Sequence, residues 1–245
     1  MAEIKFPTEE VSLPSRGKLY PEDSPLRSGI VTIKYPTSKS EDILTNQDYI
    51  QKGTVVDKFL QDLIVDKNIN YGEILTGDKN ALLVAARILG YGKSYTFEYA
   101  GREEEVDLTQ IEDKPLHPAV QEASENRFAF QLPLSNRVIE FKILNGNDEA
   151  AIERELKGLK KINKNNSPEI STRLKHMILS VDGDDKVENI RSFVDNEMLA
   201  ADSRAFRKYA SEIQPDVDMV FYPEDSDKAV QIPITVTFLW PDINV

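Results

Sequence analysis

The spacing of apolar residues along this chain switches repeatedly between a period near 3.6 and a period of two. Each switch marks a new kind of element. "GIVTIKYPT" (29 to 37) is rich in β-branched residues and predicts a strand, closed by Pro36. Ser40, Glu41 and Asp42 then form a cap cluster for a short helix over about 41 to 51, with Gly53 as its stop. In "TVVDKFLQDLIVD", Val55, Val56, Phe59, Leu60, Leu63 and Ile64 share one helical face, with Thr54 and Asp57 in the first turn. "GDKNALLVAARILGYG" predicts a helix capped by Asp78 and running to about Leu89. The run Ala81 to Ile88 is apolar nearly all round, apart from Arg87, and reads as the central buried helix.

From Lys93 the period becomes two. "SYTFEYAGREEEVDL" predicts a hairpin turning at Ala100 and Gly101, and "RFAFQLPLSNRVIEFKIL" (127 to 144) predicts a second one turning at "SNR". Helical spacing returns in "GNDEAAIERELKGLKKIN", where Asp148 and Glu149 suit the start and Lys157, Lys160 and Lys161 the end. "SPEISTRLKHMILSV" follows as a helix with Ser167 as cap and Pro168 in its first position. "DGDD" (182 to 185) breaks the chain before helices over about 185 to 195 and 197 to 213. The last pattern, "PDVDMVFYPEDSDKAVQIPITVTFLWP", reads as a hairpin. In its second strand (231 to 241), Ile232, Ile234, Val236, Phe238 and Trp240 alternate onto one face. The fold class is therefore α+β, helical blocks alternating with antiparallel hairpins. The two halves read as related helices-plus-hairpin units, an order that also recurs by chance.

The first residues fit neither period. "LPSRGKLYPEDSPL" (13 to 26) holds three prolines, each fixing φ and removing a donor, so the stretch is extended or turning. Val11, Leu13, Leu19, Tyr20 and Leu26 are too few for a core, which predicts an extended arm over 1 to 28. The expected organisation is this arm, then 29 to 125 (helical block plus first hairpin), then 126 to 245 (second hairpin, helical block, C-terminal hairpin). Such an arm docks with a reduced ordering cost, either along a neighbouring subunit or back over its own helices. Leu13, Pro14, Arg16, Leu19 and Tyr20 are its candidate partner-binding residues. Trp240, the sole tryptophan, joins them as a candidate anchor, although the alternation of its strand also suits the core.

Composition narrows the function. The formal charge of −12, from 30 basic and 42 acidic residues, disfavours a phosphate-binding surface, so nucleic acid is not an expected partner. Zero cysteines exclude thiolate metal sites, cysteine nucleophiles and disulfides. No stretch resembles a signal peptide or a membrane span, which reads as a soluble, intracellular product. His117 lies in a loop and His176 in a helix, 59 positions apart; such histidines are most often surface or satisfied core residues. "GYGKSY" follows a helix and lacks a third glycine, and "DGDD" with Glu188 misses the spacing of a calcium loop. Carboxylate pairs such as Asp216 with Asp218 would share one strand face and could serve acid–base work, yet an exposed strand end is the simpler reading, and the pair a small hydrolase would need is not located in the sequence. No catalytic residue, metal ligand or cofactor site is assigned.

Five stretches in order carry a resemblance: "LPSRGKLYP", "SEDILTNQDYIQKGTVVDKFLQDLI", "LTGDKNALLVAARILGYGKSY", "MLAADSRAFRKYASEIQPDVDM" and "IPITVTFLWP". Together, from about 13 to 241, they resemble the baseplate hub family of T-even-type contractile-tailed bacteriophages, a virion and tail-assembly family. The resemblance implies a non-enzymatic protein acting by protein–protein contact in tail and baseplate assembly. The alternative is a tail assembly chaperone that leaves before maturation. Implied partners are other baseplate hub or tail proteins, including the tape measure, in the host cytoplasm and, if retained, in the virion baseplate; a homo-oligomer is left open. Members of that family often carry CxxC pairs in the hairpin after the "YG" motif and before the terminal strand, as in a zinc ribbon. Here those places read "FEYAGREEEVDL" and "VFYPEDSDKAVQI", so zinc is not carried over and the hairpins must hold by cross-strand packing and turn chemistry. Elemental analysis of the purified protein is expected to show no stoichiometric metal; one zinc per chain would overturn this.

Overall fold

The computed structural model describes residues 7–162, 168–223, 228–234 and 236–239. From Thr8 onward its N-terminal segment is not an extended arm: it pairs as a strand and folds back over its own helices, the second of the two dockings expected of it, where it joins the core. Strand β1 (Thr8–Ser12) pairs antiparallel with β2 (Ile30–Lys34), Val11 facing Val31. The loop between them buries Leu13, Leu19, Tyr20 and Leu26, each at most 4 % exposed, and buries Pro14 as well; of the candidate partner residues described, only Arg16 stays on the surface. The prolines and glycines make this possible by folding the loop on itself. Gly17, at φ 73°, packs so closely under Arg27 that a Cβ would lie 2.3 Å from its carbonyl oxygen. Arg27 Nη1 donates to the carbonyls of Lys18 (2.6 Å) and Tyr20 (3.0 Å), satisfying backbone that would otherwise be orphaned. Trp240 lies outside the described residues.

Where one helix was expected over 41 to 51, there are two, α1 (Ser38–Leu44) and α2 (Gln47–Lys52). Asn46 interrupts them by capping α2 through its side chain. Thr37 and Ser40 form a reciprocal capping box on α1, and Gly53 ends α2 in the left-handed region as expected. Helix α3 (Val55–Leu63) buries Phe59, Leu60 and Leu63. The central helix, α4 (Thr76–Tyr91), buries Ala81, Leu82, Leu83, Val84 and Ala86. Its one charged exception, Arg87, is 3 % exposed and closes the helix end by donating to the carbonyls of Gly92 (2.7 Å) and Ser94 (2.8 Å).

Strands β3 (Ser94–Tyr99) and β4 (Arg102–Asp107) form the expected hairpin, with Ala100 and Gly101 both at positive φ as a two-residue turn of this hand requires. After the short α5 (Pro118–Glu122) come β5 (Phe128–Gln131) and β6 (Val138–Phe141), then α6 (Gly146–Ile162) and α7 (Glu169–Met177). The "ILSV" that sequence spacing assigns to the end of a helix is instead β7 (Ile178–Val181), the third strand of a sheet ordered β5-β6-β7. Helices α8 (Val187–Asn196) and α9 (Ala200–Ile213) follow. The chain ends with the pair β8 (Val220–Phe221) and β9 (Val230–Gln231) and one helical turn, α10 (Val236–Leu239).

That turn replaces most of the expected terminal strand. Ile232 still pairs, donating to Met219, but Pro233 lacks an N–H and its carbonyl accepts from Tyr95 Oη at 2.8 Å. Ile234, expected inward, is 47 % exposed, while Leu239, expected outward, is 4 % exposed. Phe238 is fully buried edge-on to Tyr95, ring centroids 4.9 Å apart. The two hairpins meet through rings: Phe221 lies edge-on to Phe97 at 5.0 Å and to Tyr99 at 5.3 Å.

The fold is α+β, and one connected cluster of buried side chains runs from Leu13 to Leu239, crossing the expected boundaries at 28 and 125. Its junction is the first turn of α4. Asp78, fully buried and expected as a cap, instead accepts from Ser15 N (2.9 Å), Ser15 Oγ (2.7 Å) and Tyr20 Oη (2.6 Å). Tyr20 Oη in turn accepts from Leu75 N at 2.9 Å. Gly77 lets the Pro215 carbonyl approach where a Cβ would sit 1.8 Å from its oxygen, and Asn80 donates to Asp216 at 2.9 Å. Asp78→Ala would orphan three buried donors, so a loss of about 3 to 5 kcal/mol is expected in urea unfolding. Asp78→Asn, which keeps one acceptor, should lose less; a wild-type midpoint for Asp78→Ala would refute the assignment.

Candidate protein-interaction groove

Among the described residues, a groove lies between α7 and α9 and continues along α6 to the first turn of α4. One lobe, of 530 Å³, has Ile143, Leu144, Met177 and Ala210 as its apolar surface, with Arg173 and Arg207 at the sides. A second lobe, of 560 Å³, shares Thr76, Glu149 and Arg173 with the first and adds Lys79, Ile152 and Leu156. The segment before α6 is set by a reciprocal cap: Asp148 N donates to Asn145 Oδ1 (3.1 Å), and Asn145 N to Asp148 Oδ2 (3.2 Å). Arg173 reaches across from α7 to grip Glu149 through both terminal nitrogens, at 2.6 and 3.0 Å. That pair divides the lobes.

Behind the groove, three helices are tied by one carboxylate. Glu155 on α6 accepts from both terminal nitrogens of Arg191 on α8 at 2.8 Å, and His176 Nε2 on α7 lies 3.0 Å from the same group. The Arg191 fork holds the Glu155 carboxyl far below the ordinary value, at about 2; partial burial opposes this and His176 assists it. His176 is thus a packing partner, and His117 caps α5 by accepting from Ala119 N through Nδ1 at 3.2 Å. The two histidines sit in separate places, one on α7 and one before α5.

The other sequence candidates are occupied by structural tasks. Asp216 is held by Asn80 and by the amide of Val217. In "DGDD", Asp182 accepts from Val138 N and pairs with Arg137, and Asp184 accepts from Lys186 N and Asn189. Among the described residues no three His, Asp or Glu side chains gather as metal ligands would, and no helix is long and apolar enough to cross a membrane. The groove residues went unrecognised in the sequence because they come from separate segments, each contributing two or three side chains at spacing that reads only as amphipathic helix. Arg207 carried no motif. No family model matches this chain, and no curated protein or solved structure matches it either.

Because the folded value of Glu155 lies below its ordinary 4.5, its stabilising contribution is complete above 4.5 and disappears as pH falls towards about 2. Glu155→Gln should therefore melt below wild type near neutrality, and the gap should close through that acid window. Thermal melts at graded pH measure it; a gap independent of pH would contradict the clamp.

Proposed function

We propose that this chain is a non-enzymatic baseplate hub component of a contractile-tailed bacteriophage, acting by contacts with other hub or tail proteins during assembly. The observation that carries this reading is that the five stretches resembling the hub family, far apart in sequence, contact one another in the fold. Ser15 and Tyr20 of the first bind Asp78 of the third. Lys79 of the third pairs with Asp57 of the second at 3.5 Å. Pro215 and Asp216 of the fourth meet Gly77 and Asn80 of the third. Pro233 of the fifth accepts from Tyr95, which closes the third. The resembling stretches thus pack against one another, and Asp216, His117 and His176 each hold a structural contact.

In this role the protein is made in the host cytoplasm and joins the tail tip. Co-purification from infected cells is expected to recover hub or tail proteins, and mass spectrometry of purified particles to find the chain at stoichiometric copy number. Recovery of tail proteins with absence from particles would replace the structural role with that of an assembly chaperone. Recovery of no tail protein would overturn the reading.

A further inference from the structure

We propose that the lobe between α7 and α9 is the docking groove for an amphipathic helix of a different protein, one that carries acidic residues along the flank facing α9. This rests on reading the chain as a protein that works by protein contact, and it specifies the chemistry of the contact. The groove has an apolar floor of Ile143, Leu144, Leu174 and Met177. Its α7 rim carries Ile170, 53 % exposed, an apolar side chain left facing outward beside that floor.

The α9 wall supplies the charge argument. Arg204 and Arg207 stand one turn apart on the same face as Ser211 and Gln214, and both arginines are exposed. Among the described residues neither has a hydrogen-bonded or ion-paired partner, although this chain has 42 acidic residues to 30 basic ones and ion-pairs Arg127, Arg137, Arg173 and Arg191. Two unneutralised guanidinium groups spaced at i and i+3 repel each other on a free helix and are relieved by carboxylates at the same spacing on a facing helix. A groove between two helices presents ridges that a third helix fills, and apolar side chains at i, i+3, i+4 and i+7 of the incoming helix would meet the floor. An overall charge of −12 gives such an acidic partner no long-range attraction, so the two arginines supply local selectivity.

The test places a photo-reactive phenylalanine analogue at Ser211, which is exposed and lines the groove, in the full chain expressed in the cells where it is made. The cross-linked peptide is identified by mass spectrometry. The expected product is a segment of another protein with apolar residues at helical spacing and Asp or Glu three or four positions apart. In the Arg204→Glu, Arg207→Glu double variant its yield should fall about tenfold at an unchanged melting temperature. Should that variant melt early, Arg207→Gln provides the milder comparison, with a smaller fall expected. Cross-linking to a segment lacking acidic residues, to a second copy of this chain or to nothing overturns the proposal, as does a yield indifferent to both variants. The chemistry of the captured segment judges the groove, whereas co-purification of the unmodified chain with tail proteins judges the proposed function, so either can fail alone.

Discussion

A buried carboxylate with three donors around it sets the conditions for the rest of this molecule. Asp78 sits in the first turn of α4, where the N–H groups at the helix start already favour negative charge, and its oxygens take Ser15 N, Ser15 Oγ and Tyr20 Oη. Burial pushes this carboxyl above its ordinary value, and the bonds from Tyr20 and Ser15 oppose that shift without cancelling it. Its folded value is raised, so stability falls as pH climbs from 3.8 to that value, because folding disfavours the ionised form over this interval. The same carboxylate also raises Tyr20, which burial already holds neutral. The loop of residues 13 to 29 must therefore close on α4 in one arrangement, since any other leaves several buried polar groups without partners.

The turn that holds Asp78 also faces the groove. Thr76 and Lys79 line it, two residues before and one after the buried acid, while Gly77 admits the Pro215 backbone that follows α9. The N-terminal loop, the α6 entry and the end of α9 consequently meet within a single helical turn. A partner seated between α7 and α9 would press on walls that are fixed from behind by the Glu155 clamp and from one end by this junction. Such a groove is presented ready-formed, which lowers the ordering cost of association. The paired hairpins complete the frame with apolar ring contacts among Phe97, Tyr99 and Phe221.

Local pattern decided the existence and type of most elements. The amphipathic spacing of α3, α8 and α9, the nearly all-apolar run of α4 and the Ala100–Gly101 turn each follow from interactions within a few residues, so they were legible in the sequence. The absence of cysteine excluded thiolate chemistry before any coordinates, whereas the fold decided that the two histidines sit apart. Tertiary structure decided what the loops do. Leu13, Leu19 and Tyr20 look too sparse to form a core because their partners lie on α4, far along the chain, and only closure of the loop shows that Asp78 serves as their anchor rather than as a cap. The terminal alternation failed for the same reason: Pro233 interrupts the ladder, and Tyr95, from a distant hairpin, takes its carbonyl and buries Phe238 in a helical turn. The groove itself was invisible, since periodicity reports which face of a helix is apolar but not which helices leave a gap between them. Short-range sterics and spacing are written in the sequence one segment at a time, whereas buried polar pairing and concavity exist only between segments, and their geometry is set when the chain closes.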